Sequence, residues 1–94
     1  MGRPEEPIDP LGPIADFASG LRALRDAADL SYKEMASLTY YCVSTLSTAA
    51  SGKAMPTWEV TEAYVKTCNG DLDYWWEQWL AASDAWKRCT NGRS

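Results

Sequence analysis

Apolar residues recur at steps of three and four along most of the chain, which is the spacing of one face of an α-helix. The first such run predicts a helix from about Ile14 to Ala28, which Pro13 and Asp16 help to start. Its apolar stripe consists of Ile14, Phe17, Leu21, Leu24 and Ala28. The charged residues off this stripe, which we expect to face water, are Arg22, Arg25 and Asp26.

Two short helices joined by a tight turn are predicted in the stretch Ser31–Pro56. The first helix runs from Tyr32 to about Leu38, with Ser31 as its N-cap and Glu34 placed to complete a capping box. The residues expected to face inward are Met35, Ala36 and Leu38. The turn is expected at residues 39–41.

The second helix of the pair is predicted from Cys42 or Val43 to about Ser51. Leu46 and Ala50 share its inward face. Gly52 then ends the helix, because glycine adopts the positive φ of a helix end without strain. The opposite, outward face consists of Val43, Ser44, Ser47, Thr48 and Ser51.

Two longer helices complete the pattern. One is predicted over Trp58–Cys68 with Thr57 as N-cap, and the other over about Leu72–Trp86 with Asp71 as N-cap. In the last helix, the spacing predicts a core face of Leu72, Trp76, Trp79, Ala82 and Trp86. Trp75 is expected to lie partly off that face.

These elements predict an all-α fold, since no run of alternating β-branched residues indicates a strand. We assign residues 14–88 to one five-helix domain, residues 1–13 to a disordered, flexible Pro-rich arm and residues 89–94 to a frayed tail. The arm's prolines, which remove backbone donors and block helix, are Pro4, Pro7, Pro10 and Pro13. The arm is either a simple tail or a segment that docks on a neighbouring surface.

The composition limits the chemistry available to the chain. It has no histidine, which removes the commonest general base and most zinc sites. Its three cysteines, Cys42, Cys68 and Cys89, are an odd number without paired spacing, which argues against a disulfide framework. We therefore predict no catalytic residue, no metal site and no cofactor, and a protein that is not an enzyme.

The location of the protein is inferred from its apolar runs. No window reaches the roughly 18 apolar residues that cross a membrane. The first residues carry acidic side chains and prolines where a signal peptide has an apolar run. We expect a cytoplasmic protein without a membrane partner.

The stretch Ser31–Pro56 resembles the helix-turn-helix of the lambda-repressor-like (XRE) family. The residues that carry the resemblance are Leu30, Ser31, Met35, Ala36, Ser44, Thr45, Leu46, Ser47, Gly52 and Pro56. The resemblance extends from about Phe17 to Cys68, and the ending Tyr64–Asp71 is similar to that of short bacterial modules of this kind. It implies a compact lambda-repressor-like domain that binds DNA in a bacterial transcriptional regulator.

In that family the second helix of the pair lies in the major groove and its early residues touch base edges. The DNA-binding residues that the resemblance implies are Tyr32, Lys33, Tyr41, Val43, Ser44, Ser47, Thr48 and Lys53. The implied partner is double-stranded DNA, bound by a monomer or a homodimer.

The charge of the chain favours an alternative partner. Nine Lys and Arg residues stand against thirteen Asp and Glu residues, a net charge of -4, and no segment has a basic excess. The second helix of the pair carries no charge, so it has no arginine to read guanine. The alternative is a protein-interaction module on the same scaffold, which binds a partner protein through this helix and exposed anchors. Those anchors are Tyr40, Tyr41 and Trp75.

Two residues depart from the family's pattern in the turn. Tyr40 stands where Gly is usual, and Cys42 stands where a Ser cap is usual. Cys42 is also the cysteine expected near the surface, which leaves a redox role open.

Overall fold

The computed structural model describes Gly12 and residues 14–91, with side chains as far as Arg88. Five helices, α1 to α5, follow one another, and the described residues contain no strand, so the all-α prediction is confirmed. Their bounds are α1 Ala15–Ala28, α2 Tyr32–Leu38, α3 Val43–Ala49, α4 Trp58–Thr67 and α5 Leu72–Asn91. In the part of the chain that is described, no helix is both long and apolar enough to cross a membrane.

Three helix starts are capped as the sequence predicts. The Ser31 hydroxyl accepts from the Glu34 N–H, and the Glu34 carboxylate accepts from the Ser31 N–H, which completes the capping box of α2. Thr57 caps α4 by accepting from the Val60 N–H at 3.3 Å. The Asp71 carboxylate accepts from two backbone N–H groups in the first turn of α5. These bonds satisfy donors that a helix start otherwise leaves free.

The ends of the helices differ in detail from the prediction. The last residue of α3 is Ala49 and that of α4 is Thr67, while α5 continues beyond Trp86 to Asn91. Residues in the left-handed region follow α1 and α4, at Asp29 (φ 58°) and Asn69 (φ 61°). Gly52 has a φ of 79° and turns the chain after α3, which is the role predicted for it.

The predicted division into arm, domain and tail stays a prediction. Except for Gly12, the arm at residues 1–13 lies outside the described residues, as do residues 92–94 of the tail.

The core lies between all five helices. Its largest fully buried side chains are Ile14, Leu21, Met35, Leu46, Thr61, Tyr64 and Val65. The Tyr64 hydroxyl donates to the carbonyl oxygen of Leu21 at 2.9 Å, so even the polar end of this large side chain is satisfied inside the core. Burial raises the pKa of the Tyr64 phenol, which therefore stays neutral and remains a donor.

The prediction for the tryptophans of α5 was wrong at two neighbouring positions. Trp75 is only 8% exposed, whereas Trp76, predicted in the core, is 42% exposed. Trp75 packs over Gly20, where an added Cβ would lie 2.9 Å from its ring, and it meets Phe17 edge to face. The gap above Gly20 therefore turns α5 so that Trp75 faces inward, which also removes Trp75 as an exposed interface anchor.

Trp76 lies in a partly exposed aromatic cluster with two other tryptophans. It stacks on Trp79 with ring centroids 5.6 Å apart, and it meets Trp58 at 4.9 Å. Trp79 Nε1 donates to the Pro56 carbonyl oxygen at 3.0 Å, which ties α5 to the loop before α4. This cluster fixes one flank of α5 and leaves part of the Trp76 ring in solvent.

Candidate nucleic-acid interface

Helix α3 is held in one rotation by its inner face. Leu46 is fully buried and Ala49 is 2% exposed, so the opposite side of the helix faces outward. Val43, Ser44 and Thr48 are exposed, and Ser47 is half-buried. Of the four α3 residues that the resemblance implies, Ser44 and Thr48 thus lie on the outer side of the helix. Val43 is exposed at its start, and Ser47 is half-buried on its flank.

Two further residues that the resemblance implies, Tyr32 and Lys33, lie in the first turn of α2. Lys33 is exposed, whereas Tyr32 is half-buried and meets Tyr64 edge to face, with ring centroids 6.4 Å apart. The guanidinium of Arg25 lies 4.6 Å from the centroid of the Tyr32 ring, a cation–π contact that holds the ring in place. Lys53, just after Gly52, is exposed on the loop that leaves α3.

Both arginines of α1 bind backbone carbonyls, contrary to the prediction that they face water. Arg22 Nε donates to Ala50 at the end of α3 at 2.8 Å. Arg25 donates to Leu30 at 2.7 Å, and its side chain is only 17% exposed. Ala50 is the C-cap of α3, where a cation stabilises free carbonyls, so Arg22 supports the end of this helix. Arg25 instead holds the segment that joins α1 to α2. The two arginines add little positive charge to the outer surface of the helix pair.

The turn between α2 and α3 is closed by a side chain. The Thr39 hydroxyl oxygen accepts from the Tyr41 N–H at 3.2 Å. Among the described residues other than glycine, only Asp29 and Asn69 have a positive φ. Tyr40 therefore occupies the turn with a negative φ, although the family usually has Gly there. Tyr40 is fully exposed, as the alternative function requires of an anchor. Tyr41 is half-buried against the domain.

A cleft of about 400 Å³ opens between this turn and α4. Its apolar wall includes Leu38, which is 67% exposed although the sequence predicted that it faces inward. Leu38 is the last residue of α2, so it extends past the core that Met35 enters. The polar wall includes Glu59, Glu62 and Lys66 of α4, which lie some 20 residues or more from the turn in sequence. Their place beside the turn becomes apparent only when the helices are packed.

Cys42, the residue before α3, is exposed, as predicted, while Cys68 is buried. The Cys42 sulfur lies 3.3 Å from the hydroxyls of both Ser44 and Thr45. These hydroxyls, with backbone N–H groups of the same turn, lower the pKa of the Cys42 thiol to about 6. Burial raises the pKa of the Cys68 thiol, so the two cysteines differ in both access and charge.

We expect Cys42 to be alkylated rapidly at neutral pH, because its thiolate forms as the pH rises through about 6. The rate of reaction with iodoacetamide, followed by peptide mass spectrometry to separate the cysteines, should level off well below the pH at which an ordinary thiol does so. Ser44→Ala and Thr45→Val should each move this profile to higher pH. A wild-type profile that rises only near pH 9 would contradict the role of the hydroxyls.

Comparison with known proteins agrees with this geometry. Neither the curated proteins nor the solved structures gave a match. The model of a family described as Helix-turn-helix domain matches residues 16–73, which is more than half of the chain and includes α2, the turn and α3. The chain therefore belongs to the helix-turn-helix domain family.

Proposed function

We propose that the protein is a bacterial transcriptional regulator of the lambda-repressor-like (XRE) type, which acts in the cytoplasm as a homodimer. In this proposal α3 enters the major groove of double-stranded DNA. The observation that carries it is the outward face of α3, a continuous set of small polar and methyl-bearing side chains opposite the buried Leu46 and Ala49. Membership of the helix-turn-helix family supports the same use of the helix.

The chemistry of this face suits the groove. Ser44, Ser47 and Thr48 offer hydroxyls that bond to phosphates or base edges, and the methyl groups of Val43 fit against a thymine methyl. A helix of seven residues is about 10 Å long, so it reaches only a few base pairs. Specificity would then come from few contacts per protomer, which makes a second protomer useful.

The small number of cations predicts weak binding with a shallow salt dependence. Lys33 on α2 and Lys53 just after α3 are exposed, and each phosphate that a lysine neutralises contributes about −0.9 to the slope of log K against log salt. A homodimer would use each lysine twice, for a slope of about −4. Regulators that engage about 6–10 phosphates have much steeper slopes.

We expect the double variant Lys33→Ala, Lys53→Ala to lose most of this slope and to bind DNA more weakly at low salt. Fluorescence anisotropy with labelled genomic DNA fragments at several salt concentrations measures both quantities. Arg88→Ala is the control for a cation removed elsewhere: Arg88 is exposed on α5, where it forms an ion pair with Asp84, so its loss should leave the salt slope unchanged. Absence of salt-dependent binding by the wild-type chain at micromolar concentration would refute the proposal.

A protein partner is the second candidate, and the cleft between the turn and α4 favours it. Leu38 and Tyr40 are large and exposed, and they line this cleft together with Glu59 and Glu62. Lys66 also lines it, so the two carboxylates exceed the positive charge by one. Acidic side chains repel DNA phosphates but attract a basic segment of a protein. This candidate gains support if the DNA titration fails while Tyr40→Ala and Tyr41→Ala reduce the recovery of a protein partner.

A further inference from the structure

A second cleft, of about 340 Å³, opens between α3 and the loop that leads to α4, and we call it the α3 pocket. Its hydroxyl-bearing residues are Ser44, Thr45, Thr48 and Thr57. The rest of the lining is apolar and includes Met55 and Val60. None of the nine described residues that line the pocket carries a charge. Sites for small molecules have this make-up, with apolar walls, a few placed polar groups and volumes of about 300–1,000 Å³.

Bonds from outside the α3 pocket hold both of its walls in place. Arg22 Nε donates to the carbonyl oxygen of Ala50, the C-cap of α3, at 2.8 Å. Trp79 Nε1 donates to the Pro56 carbonyl oxygen at 3.0 Å, which fixes the loop before α4. A pocket that is formed before its ligand arrives binds at a lower entropic cost, because no segment has to be ordered on binding.

Neighbouring groups orient the hydroxyls of the α3 pocket. The Cys42 sulfur lies 3.3 Å from the hydroxyls of both Ser44 and Thr45. Because the pKa of Cys42 is lowered to about 6, the sulfur is a thiolate at neutral pH and accepts a hydrogen bond from each hydroxyl. These two oxygens then offer a ligand only their lone pairs. The Thr57 hydroxyl is the opposite case, since its oxygen accepts from the Val60 N–H and its proton is left to donate.

We propose that the α3 pocket binds a small, uncharged cyclic amide of nucleobase size, of which uracil is the simplest example. The ring N–H groups of such a molecule donate to the oxygens of Ser44 and Thr45, and a ring carbonyl accepts from the Thr57 hydroxyl. Its flat face lies against Met55, whose thioether makes favourable contacts with π-systems. An ion is a poor ligand, because it would lose water without gaining an opposite charge from the lining.

This chemistry favours a free molecule over a base of double-stranded DNA. In a base pair the ring N–H groups of thymine and guanine already donate to the opposite base, so they have no proton for Ser44 or Thr45. A free ligand bound to Ser44 occupies space beside α3 that the proposed DNA complex needs, so ligand and DNA compete. The ligand site stands without DNA binding, whereas this competition rests on the proposed function.

Titration of the isotope-labelled chain with uracil, followed by two-dimensional NMR, tests the site without DNA. The amide signals of Ser44, Thr45, Thr48 and Thr57 should shift and saturate. We expect a dissociation constant on the order of 1 mM, as is usual for so few atoms. N,N′-dimethyluracil, whose ring nitrogens carry no proton, should bind at least about fivefold more weakly. The anion orotate, which is uracil with an added carboxylate, should be weaker to a similar degree.

Variants separate the pocket from a general effect on the fold. Ala54 is an exposed lining residue of the loop, so the ring of Ala54→Phe should fill the pocket without entering the core and should abolish the uracil shifts. Ala23→Phe is the matched control, because it makes the same change at an exposed position of α1, and it should bind uracil like the wild type. Thr45→Val keeps the shape of the side chain and removes one acceptor, so it should weaken binding by about threefold or more.

The outcomes decide the ligand site and the competition separately. Shifts that do not saturate in the wild type, or equal binding of uracil and N,N′-dimethyluracil, would overturn the ligand site. In the anisotropy titration, a saturating concentration of uracil should lower the DNA affinity of the wild type and not that of Ala54→Phe. An equal DNA affinity of the wild type with and without uracil would overturn the competition. If the chain binds uracil as expected but does not bind DNA, only the DNA-binding function falls.

Discussion

Trp75→Ala should destabilise the domain by about 3–5 kcal/mol, whereas Trp76→Ala should cost about 1–2 kcal/mol. The Trp75 ring is 8% exposed and fills the space between Gly20 and Phe17, so its removal leaves a cavity that rigid helices cannot close. Trp76 is 42% exposed, so part of its ring contacts solvent and its removal takes away fewer protein contacts. Urea unfolding followed by circular dichroism compares the two variants, since it does not depend on tryptophan fluorescence.

Trp75→Phe is a milder variant that keeps an aromatic ring beside Gly20 and Phe17. A small domain has only about 5–15 kcal/mol of stability, so Trp75→Ala could leave it largely unfolded. Trp75→Phe removes less volume and should lower the unfolding midpoint to a value between those of the wild type and Trp75→Ala. A greater loss for Trp76→Ala than for Trp75→Ala would show that α5 packs in the rotation that its sequence spacing predicted.

The local parts of this fold could be predicted because their causes lie close together in sequence. A capping box such as that of Ser31 and Glu34 is formed within one turn of helix, and Thr57 and Asp71 act over the same short distance. The left-handed turn at Gly52 is likewise a property of one residue. Hydrogen bonds of this range depend little on the rest of the chain, so the sequence is enough to locate them.

The choice between Trp75 and Trp76 depends on a residue far away in sequence. Adjacent positions of a helix differ by about 100°, so both tryptophans lie near the border of the apolar face. The gap above Gly20 accepts the Trp75 ring, and only the packed α1 and α5 reveal it. The spacing of apolar residues therefore predicted Trp76 in the core, although Trp75 is the ring that is buried.

Part of the candidate interface could likewise be predicted from the sequence, and part could not. The outward face of α3 could be predicted because Leu46 fixes which side of the helix is buried. The charge around it could not, since Arg22 binds the carbonyl of Ala50, at the end of α3, and Arg25 folds back on the carbonyl of Leu30, just after its own helix. Two cations are thus bound to backbone carbonyls in the packed domain. The proposed contacts to DNA phosphates therefore depend on lysine.

Ser44→Glu should reduce DNA affinity by tenfold or more without lowering the stability of the domain. Both this variant and its reference carry Cys42→Ser, so that no thiolate lies beside the new carboxylate. Ser44 is an exposed residue in the first turn of α3, where a negative side chain interacts favourably with the positive end of the helix by about 0.3–1 kcal/mol. The same charge on the outer face of α3 would be placed against phosphates in the proposed complex, where it is repelled. Folding and DNA binding are therefore expected to change in opposite directions.

Anisotropy titration and thermal unfolding of the same samples measure the two effects. Ala81→Glu is the matched control, because it adds the same charge at an exposed position of α5, outside the helix pair. Its affinity for DNA should stay close to that of the wild type. Equal losses for both variants would mean that net charge, and not the α3 face, governs binding. Unchanged affinity in Ser44→Glu would remove α3 as the reading helix and direct attention to the cleft that Leu38 and Tyr40 border.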